Sequence, residues 1–321
     1  MKNLVNYVQN VNFHESLWNE GDTFIVAVSG GSDSMCLLDI LVKIARKEDL
    51  NLIVAHVNYG LRGTDSDADE EVVRVQCAEY EIPFNVKMVK ETGHKGSEAE
   101  WRKQRYTYFE NLRNEHNAAH IVVGHNANDQ AETLLLHLLR GSGLNGLCGM
   151  RYHRDSIIRP LLKVQKSQII AYCKMHSITY REDQTNSDDV YKRNLIRNDL
   201  LPSLEKKYNK EIVKSLATAA GHIANDYDFI SKESCEILPV EMNEKTASFS
   251  AHTYQLCHKA VQNMRLYQII SSLQGDEINI TSRNIAEFHK AIISTKNKHQ
   301  IVKMKGLKMQ RKGDTVKFTV T

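Results

Sequence analysis

Residues 24–38, Phe-Ile-Val-Ala-Val-Ser-Gly-Gly-Ser-Asp-Ser-Met-Cys-Leu-Leu, constrain the fold more than any other stretch of this chain. The apolar run from Phe24 to Val28 predicts a buried strand. From Asp33 onward the spacing predicts an amphipathic helix with Leu37, Leu38 and Leu41 inward. Between them, Ser29-Gly30-Gly31-Ser32-Asp33-Ser34 must turn the chain tightly. Two glycines let successive backbone N–H groups face one point, and the helix start adds its free N–H groups and positive dipole end. Such a turn is a phosphate cradle; the blander alternative is an ordinary strand-to-helix turn of small residues. The lysine that follows the glycines in a Walker loop is missing here, and with it the usual grip on β- and γ-phosphates.

Downstream, strand and helix signals alternate. Residues 51–57 read as a second strand, leading through His56-Val57-Asn58-Tyr59-Gly60-Leu61-Arg62-Gly63 into an acidic helix. Residues 84–89 give a third strand, and Ser97-Glu98-Ala99-Glu100 a capping box that opens the next helix. Residues 119–124 and 128–140 give a fourth strand and helix. Intervals of this kind need crossover connections, so the expected class is α/β, a doubly wound and mostly parallel sheet. Ligands of such sheets sit beyond the carboxyl ends of the strands, where residues 29–34, 56–62 and 124–129 all fall. This α/β domain is expected over residues 1–205, followed by a helical linker over 206–239. A smaller, mainly helical and basic C-terminal domain is expected over 240–321. It closes on a hairpin with strands at 302–311 and from Val316, joined by a Gly313-Asp314 turn. The glycine-rich residues 141–149 form either a substrate lid or a helix stop with a long turn.

Composition narrows the setting. The chain has no 18-residue apolar run, and its start lacks a basic region followed by an apolar one. No membrane span or signal peptide is therefore expected, and a cytoplasmic location is. Six cysteines (36, 77, 148, 173, 235, 257) are scattered with no C-x-x-C pair, which suits reduced thiols and disfavours zinc or iron–sulfur binding. The net charge of +3 hides an asymmetry. Residues 1–190 carry 21 Lys+Arg against 26 Asp+Glu, and residues 191–321 carry 21 against 13. A basic C-terminal part suits a polyanion such as RNA, and it also suits a plain lysine-rich surface.

Several side chains are placed to do chemistry. Asp129 and Glu132, three apart at a helix start, share one face. They can hold Mg²⁺, bind an amine-bearing substrate, or simply stabilise the helix dipole, and their place at the sheet's carboxyl edge favours the first two. Arg105 can neutralise phosphate charge, whereas Arg102 reads as part of a solvated basic face. Arg193 and Arg197 lie one turn apart and suit either phosphate contact or the surface. His56 and His125 each follow a strand, and neither has the spacing of a metal triad.

The loop at residues 29–34 resembles the PP-loop of the N-type ATP pyrophosphatases, which cleave ATP between the α- and β-phosphates. Three further segments sharpen the resemblance. They are Ala55-His56-Val57-Asn58-Tyr59-Gly60-Leu61-Arg62-Gly63, Gly124-His125-Asn126-Ala127-Asn128-Asp129-Gln130-Ala131-Glu132-Thr133 running into Arg140-Gly141-Ser142-Gly143, and Glu182-Asp183-Gln184-Thr185-Asn186 with Tyr191-Lys192-Arg193-Asn194-Leu195-Ile196-Arg197. Together they resemble the tRNA(Ile)-lysidine synthase family over roughly the first two thirds of the chain. The resemblance implies that ATP adenylates the C2 oxygen of the first anticodon cytidine of a tRNA(Ile) with a CAU anticodon. Free L-lysine then attacks C2 through its ε-amine and expels AMP.

By the same resemblance Ser29, Gly30, Gly31, Ser32, Asp33 and Ser34 bind ATP, with Asp33 helping to place Mg²⁺. His56, Arg105 and His125 border the nucleotide, Asp129 and Glu132 recognise lysine, and Arg197 acts near the reacting groups. Asp33, Arg105 and Arg197 are the implied catalytic residues. Partners are then tRNA and lysine but no membrane, and a homodimer stays open. Two departures stand out. Tyr59 occupies a position where histidine is usual, and Asn128 replaces the first acid of a commoner Asp-Asp pair. The far C-terminal domain of longer relatives is not visible. A related tRNA thiolase is disfavoured by the scattered cysteines, GMP synthetase by the lack of an amidotransferase-like region, and a non-catalytic tRNA-binding homologue by the intact motif residues.

Overall fold

The computed structural model describes residues 3–60, 64–89, 98–181, 188–275, 281–295 and 299–321. Leu61, Arg62, Gly63, the capping residue Ser97 and the segment Glu182-Asp183-Gln184-Thr185-Asn186 lie outside the described residues. The chain divides into two compact units, residues 1–224 and 225–321.

The first unit begins with α1 (Leu4–Glu15), β1 (Thr23–Ala27), α2 (Ser32–Glu48), β2 (Asn51–Asn58), α3 (Thr64–Tyr80), β3 (Phe84–Met88), α4 (Glu98–Glu115), β4 (His120–Val122) and α5 (Ala127–Leu139). It continues through α6 (Leu144–Leu147), β5 (His153–Arg154), β6 (Ile157–Ile158), α7 (Lys166–Met175) and α8 (Asp188–Leu195). A π-helical turn (Ile196–Leu200) and α9 (Leu201–Lys207) follow, and α10 (Ile212–Ile237) continues past residue 224 into the second unit. Six strands form one sheet in the order β3-β2-β1-β4-β6-β5. All its neighbours pair in parallel except β5, which runs antiparallel to β6. The doubly wound, mostly parallel sheet expected from the alternation is what forms.

Both faces of the sheet are covered, which explains why its strands read as continuous apolar runs. Phe24, Val26, Leu52 and Val54 enter one core with α1, α2 and α7. The alternate residues Ile25, Ile53 and Ala55 enter another with Phe109 and Leu112 of α4. Helix α2 departs from the amphipathic expectation, because Met35 through Val42 are buried all round. The sheet covers one side of it, and α1 and α7 cover the other.

The strand order reverses about β1, with β2 and β3 on one side and β4 and β6 on the other. In sheets of this kind the ligand crevice lies at such a switch point, beyond the carboxyl ends of strands such as β1 and β4. The two segments meet there without a gap. A Cβ built on Gly124, just after β4, would lie 3.0 Å from the carbonyl carbon and oxygen of Asp33 and 3.1 Å from the Ser34 nitrogen. Glycine at 124 therefore lets the β4 edge rest directly on the first turn of α2.

Between α8 and α9 the helix widens into the π-turn, in which the Leu201 N–H reaches back to Ile196 O. Pro202 stands at the start of α9, where it cannot donate to the preceding turn and its ring would crowd the carbonyl four residues earlier. A single wide turn relieves that conflict, and turns of this kind are frequent at functional sites.

The second unit holds β7 (Glu241–Met242), β8 (Thr246–Ser250), α11 (Ala251–Leu256), α12 (Lys259–Gln274), α13 (Ser282–Ile292), β9 (Gln300–Met304), β10 (Leu307–Lys312) and β11 (Thr315–Val320). Its five-stranded sheet, β7-β8-β11-β10-β9, is antiparallel throughout. Phe249, Phe318 and Met309 meet Leu266, Ile269 and Phe288 in its core. The Gly313-Asp314 turn joins β10 to β11 as expected. The first hairpin strand, read from the sequence as one run over 302–311, is broken into β9 and β10. Lys305 and Gly306 both take positive φ there, at 47° and 77°. Among the described residues no helix is long and apolar enough to cross a membrane.

Replacing Gly124 by alanine forces backbone against backbone at the switch point. Gly124→Ala should lower the stability of the first unit by about 1–3 kcal/mol. Urea unfolding followed by the fluorescence of Trp18 and Trp101, both in that unit, will measure it; an unchanged midpoint would show that the contact yields freely.

Candidate active site

The loop after β1 is held open by its own hydroxyls. Ser34 Oγ donates to Gly31 O at 3.0 Å and accepts from the Ser29 N–H at 3.1 Å, and the Ser29 and Ser34 hydroxyls lie 3.2 Å apart. Gly30 takes φ +90°, a region that L side chains rarely adopt, and a Cβ there would also meet Asp69 O at 3.1 Å. From outside, the Arg181 N–H donates to Gly30 O at 3.0 Å while its guanidinium pairs with Asp69 at 2.7 Å. Gly31 is the N-cap of α2 and has no side chain to cap the helix, so the first-turn N–H groups remain available for an anion.

One contact here was illegible in the sequence. Lys166, the first residue of α7, reaches back with Nζ 2.7 Å from Asp33 Oδ2 and 2.8 Å from Ser32 Oγ. Its own N–H donates to Asn128 Oδ1 at 3.0 Å, so the start of α5 fixes the start of α7. Burial pushes the Asp33 carboxyl above its ordinary range, and the nearby Lys166 ammonium pulls the other way. The second Asp33 oxygen, Oδ1, is buried with no hydrogen-bond partner among the described residues.

At the β4 edge, Asn126 caps α5 by accepting from the N–H groups of Asn128 and Asp129, at 2.8 and 3.2 Å. Asp129 Oδ2 completes the capping box by accepting from the Asn126 N–H at 3.0 Å. Its other oxygen, Oδ1, faces Arg193 and Arg197, each at 3.3 Å. Asp129 thus stabilises a helix start with one oxygen and presents the other to two arginines of the same chain. Glu132 is fully buried. Arg193 Nε donates to its Oε2 and Arg197 Nε to its Oε1, both at 2.6 Å. Two carboxylates and two guanidiniums make a group close to neutral. Removing one partner from so buried a pair is costly, because a charge is left uncompensated.

The remaining residues form a cationic wall. Arg159, 5 % exposed, donates from Nε to His125 Nδ1 at 3.3 Å and from Nη1 to Arg151 O at 3.0 Å. Nδ1 is therefore the acceptor and the His125 proton sits on Nε2. Burial, followed by the charges of Arg159 and Arg102, pushes the His125 imidazole down to about 3. Arg105 lies over the Tyr106 ring and interacts with the Tyr59 hydroxyl, while Tyr59 also packs on Trp101. Arg102, exposed and over the same Tyr106 ring, matches its solvated expectation. His56 is buried, and its Nδ1–H donates to the carbonyl of Val28, the residue just before the loop, at 2.8 Å. The structure thus brings residues 29–34, Asp129, Glu132 and Arg197 close together at this edge of the sheet, gathers Arg105 with Arg102, Arg159 and Arg193 near His125, and sets His56 beneath the loop.

Residues 141–149 are tied down. Gln130 donates to Met150 O at 2.9 Å and accepts from the Met150 N–H at 2.7 Å, and Cys148 is buried beside it. Within this segment Leu144–Leu147 form the short helix α6, an element neither expectation contained.

A family model described as a PP-loop domain matches residues 3–204. The chain is 34% identical over 289 residues to the tRNA(Ile)-lysidine synthase of Clostridium tetani, covering 86% of this chain and 61% of that one. It is 31% identical over 318 residues to the tRNA(Ile)-lysidine synthase of Clostridioides difficile, covering 96% of this chain and 69% of that one. The chain belongs to the tRNA(Ile)-lysidine synthase family. It spans 61% of the length of the first of these relatives. Among solved structures, a U34-tRNA thiolase from Methanococcus maripaludis aligns with a TM-score of 0.58 at 18% identity, over 69% of this chain and 78% of that one. That likeness shows that the lysidine synthase family shares its fold with a thiolase.

The depressed His125 has a measurable consequence. Below pH 6.5 an unfolded chain takes a proton that the folded His125 refuses down to about pH 3, so its contribution to stability is present above 6.5 and is lost on acidification. Between pH 7 and pH 5 the wild type should lose about 1–2 kcal/mol more than His125→Gln. Parallel urea titrations of the two proteins will test this; equal losses would show that His125 titrates normally.

Proposed function

We propose that this protein uses ATP to join the ε-amine of free L-lysine to C2 of the first anticodon cytidine of a tRNA(Ile) with a CAU anticodon. The products are lysidine, AMP and diphosphate. The observation that carries this reading is the Asp129–Glu132 pair, bracketed by Arg193 and Arg197, at the same crevice as the loop of residues 29–34.

Each part of the crevice has a role in that reaction. The backbone N–H groups at the start of α2 bind phosphate oxygens. The C2 oxygen of cytidine attacks the α-phosphorus, and the bond between it and the bridging oxygen breaks, its electron pair leaving on diphosphate. Arg105, beside Tyr59 and Tyr106, and Arg197 offset the charge of the pentacoordinate phosphorus. His125 stays neutral at working pH and acts as a hydrogen-bond donor through Nε2. A magnesium ion fits the buried, unpartnered Oδ1 of Asp33, since Mg²⁺ takes one or two carboxylates and completes its shell with phosphates and water. Held there, it would supply charge neutralisation at the phosphates.

Asp129 and Glu132 recognise the cationic substrate. Two carboxylates alone would raise the pKa of a bound amine and keep it protonated, which prevents attack. Arg193 and Arg197 cancel that field, so lysine can be held while its ε-amine loses a proton. The amine then attacks C2, AMP departs with the C2 oxygen, and the second amine proton goes to solvent. The basic region of residues 240–321 is the proposed tRNA contact. Thiolation would need thiols at the crevice, and the four cysteines of the first unit are buried.

Incubating the protein with ATP, labelled lysine and a CAU-anticodon tRNA(Ile) transcript tests this directly. Label should enter the tRNA in an ATP-dependent manner; no incorporation by a folded, ATP-binding protein would sink the function. In the same assay Asp129→Asn should raise the KM for lysine about tenfold or more with little change in ATP affinity. Equal losses in both would assign Asp129 to metal or nucleotide instead.

A further inference from the structure

The loop of residues 29–34 lacks the lysine with which a Walker loop grips β- and γ-phosphates. The fold brings a lysine to that place from elsewhere. Lys166 stands 133 residues beyond Asp33, yet its Nζ lies within 2.8 Å of two residues in the first turn of α2. Its backbone is fixed independently by Asn128 and its side chain by Ser32 and Asp33, so the ammonium is oriented at both ends of the stem. The side chain remains 38% exposed, so a ligand in the crevice can reach it. The contact with Asp33 is a charge pair in partial exposure, and such a pair is exchanged readily for a more strongly charged anion.

We propose that Lys166 is the phosphate-binding lysine of this loop, supplied from the start of α7 rather than from the loop's own sequence. It holds the β- and γ-phosphates of ATP and then the departing diphosphate. The proposal rests on the ATP-dependent function argued above. As the bond between the α-phosphorus and the bridging oxygen breaks, its electron pair moves onto diphosphate. The Lys166 ammonium keeps its proton and neutralises the charge that gathers there. Asn128 gains a role from the same geometry, for its amide oxygen positions the residue that carries the lysine.

Calorimetric titration of the full chain with ATP, inorganic diphosphate and AMP separates this from a structural role. Lys166→Met should weaken ATP and diphosphate about 10- to 100-fold and leave AMP within about twofold, since AMP has no β-phosphate. Lys166→Arg should restore most of the loss. Unchanged diphosphate affinity in Lys166→Met, or an equal loss of AMP and diphosphate, would overturn the proposal. Should the methionine variant misfold, the wild type decides the matter through acylation of its lysines read by mass spectrometry. Diphosphate should protect Lys166 and AMP should not, and labelling indifferent to diphosphate would overturn the role. Lysine incorporation into tRNA alongside unaltered diphosphate affinity in Lys166→Met sinks this role alone. Diphosphate held by Lys166 in a protein that incorporates no lysine sinks the tRNA function and supports this role.

Discussion

The first turn of α2 sits where the strand order reverses, with backbone N–H groups that its N-cap residue cannot satisfy because Gly31 has no side chain to offer. A helix start left this way, at the end of a buried strand, concentrates partial positive charge on one spot. Much of the first unit is built to hold that spot still. The Ser29 and Ser34 hydroxyls brace the loop from within, His56 supports Val28 beneath it, Arg181 pins Gly30, and Gly124 lets β4 press against it. Preorganisation of this sort matters because donors already in place need not be reoriented when charge develops.

Around this anion site the charges are arranged in compensating groups. Asp33 is balanced by Lys166, and Asp129 with Glu132 is balanced by Arg193 with Arg197. Arg159 is different. It is buried against a histidine that cannot accept its charge, which leaves the His125 side of the crevice cationic. A polyanionic ligand would meet a positive wall on that side and a neutral, exchangeable group on the other. The fixed partial charges of α2 point into the same space. Under the proposed function, such a distribution suits a nucleotide held while a cationic substrate enters beside it.

The sheet, its parallel pairing and the place of the crevice were legible in the sequence, because strands covered on both faces must be apolar at every position and crossovers must have length. Asp129 and Glu132 were legible as a pair because helical spacing sets which side chains share a face. The double duty of Asp129 was half legible: the capping signal of Asn126 lies three residues upstream, whereas the arginines come from a helix some sixty residues downstream. The break between β9 and β10 was missed because Lys305 in a positive-φ conformation carries no strong sequence mark. The all-round burial of α2 was missed because amphipathic spacing says nothing about a second layer of helices beyond it.

By itself the sequence determined the local geometry of the phosphate cradle, the α/β class and the carboxylate pair, since backbone stereochemistry and side-chain periodicity act over a few residues. The tertiary structure alone decided which distant charges complete the site. Lys166 reaches the loop, Arg193 and Arg197 reach α5, and Arg159 reaches His125 only after four separate crossovers have closed over the sheet. The physical reason is range. A hydrogen bond acts over three ångströms, and no pattern along the chain records which residues will be brought that close.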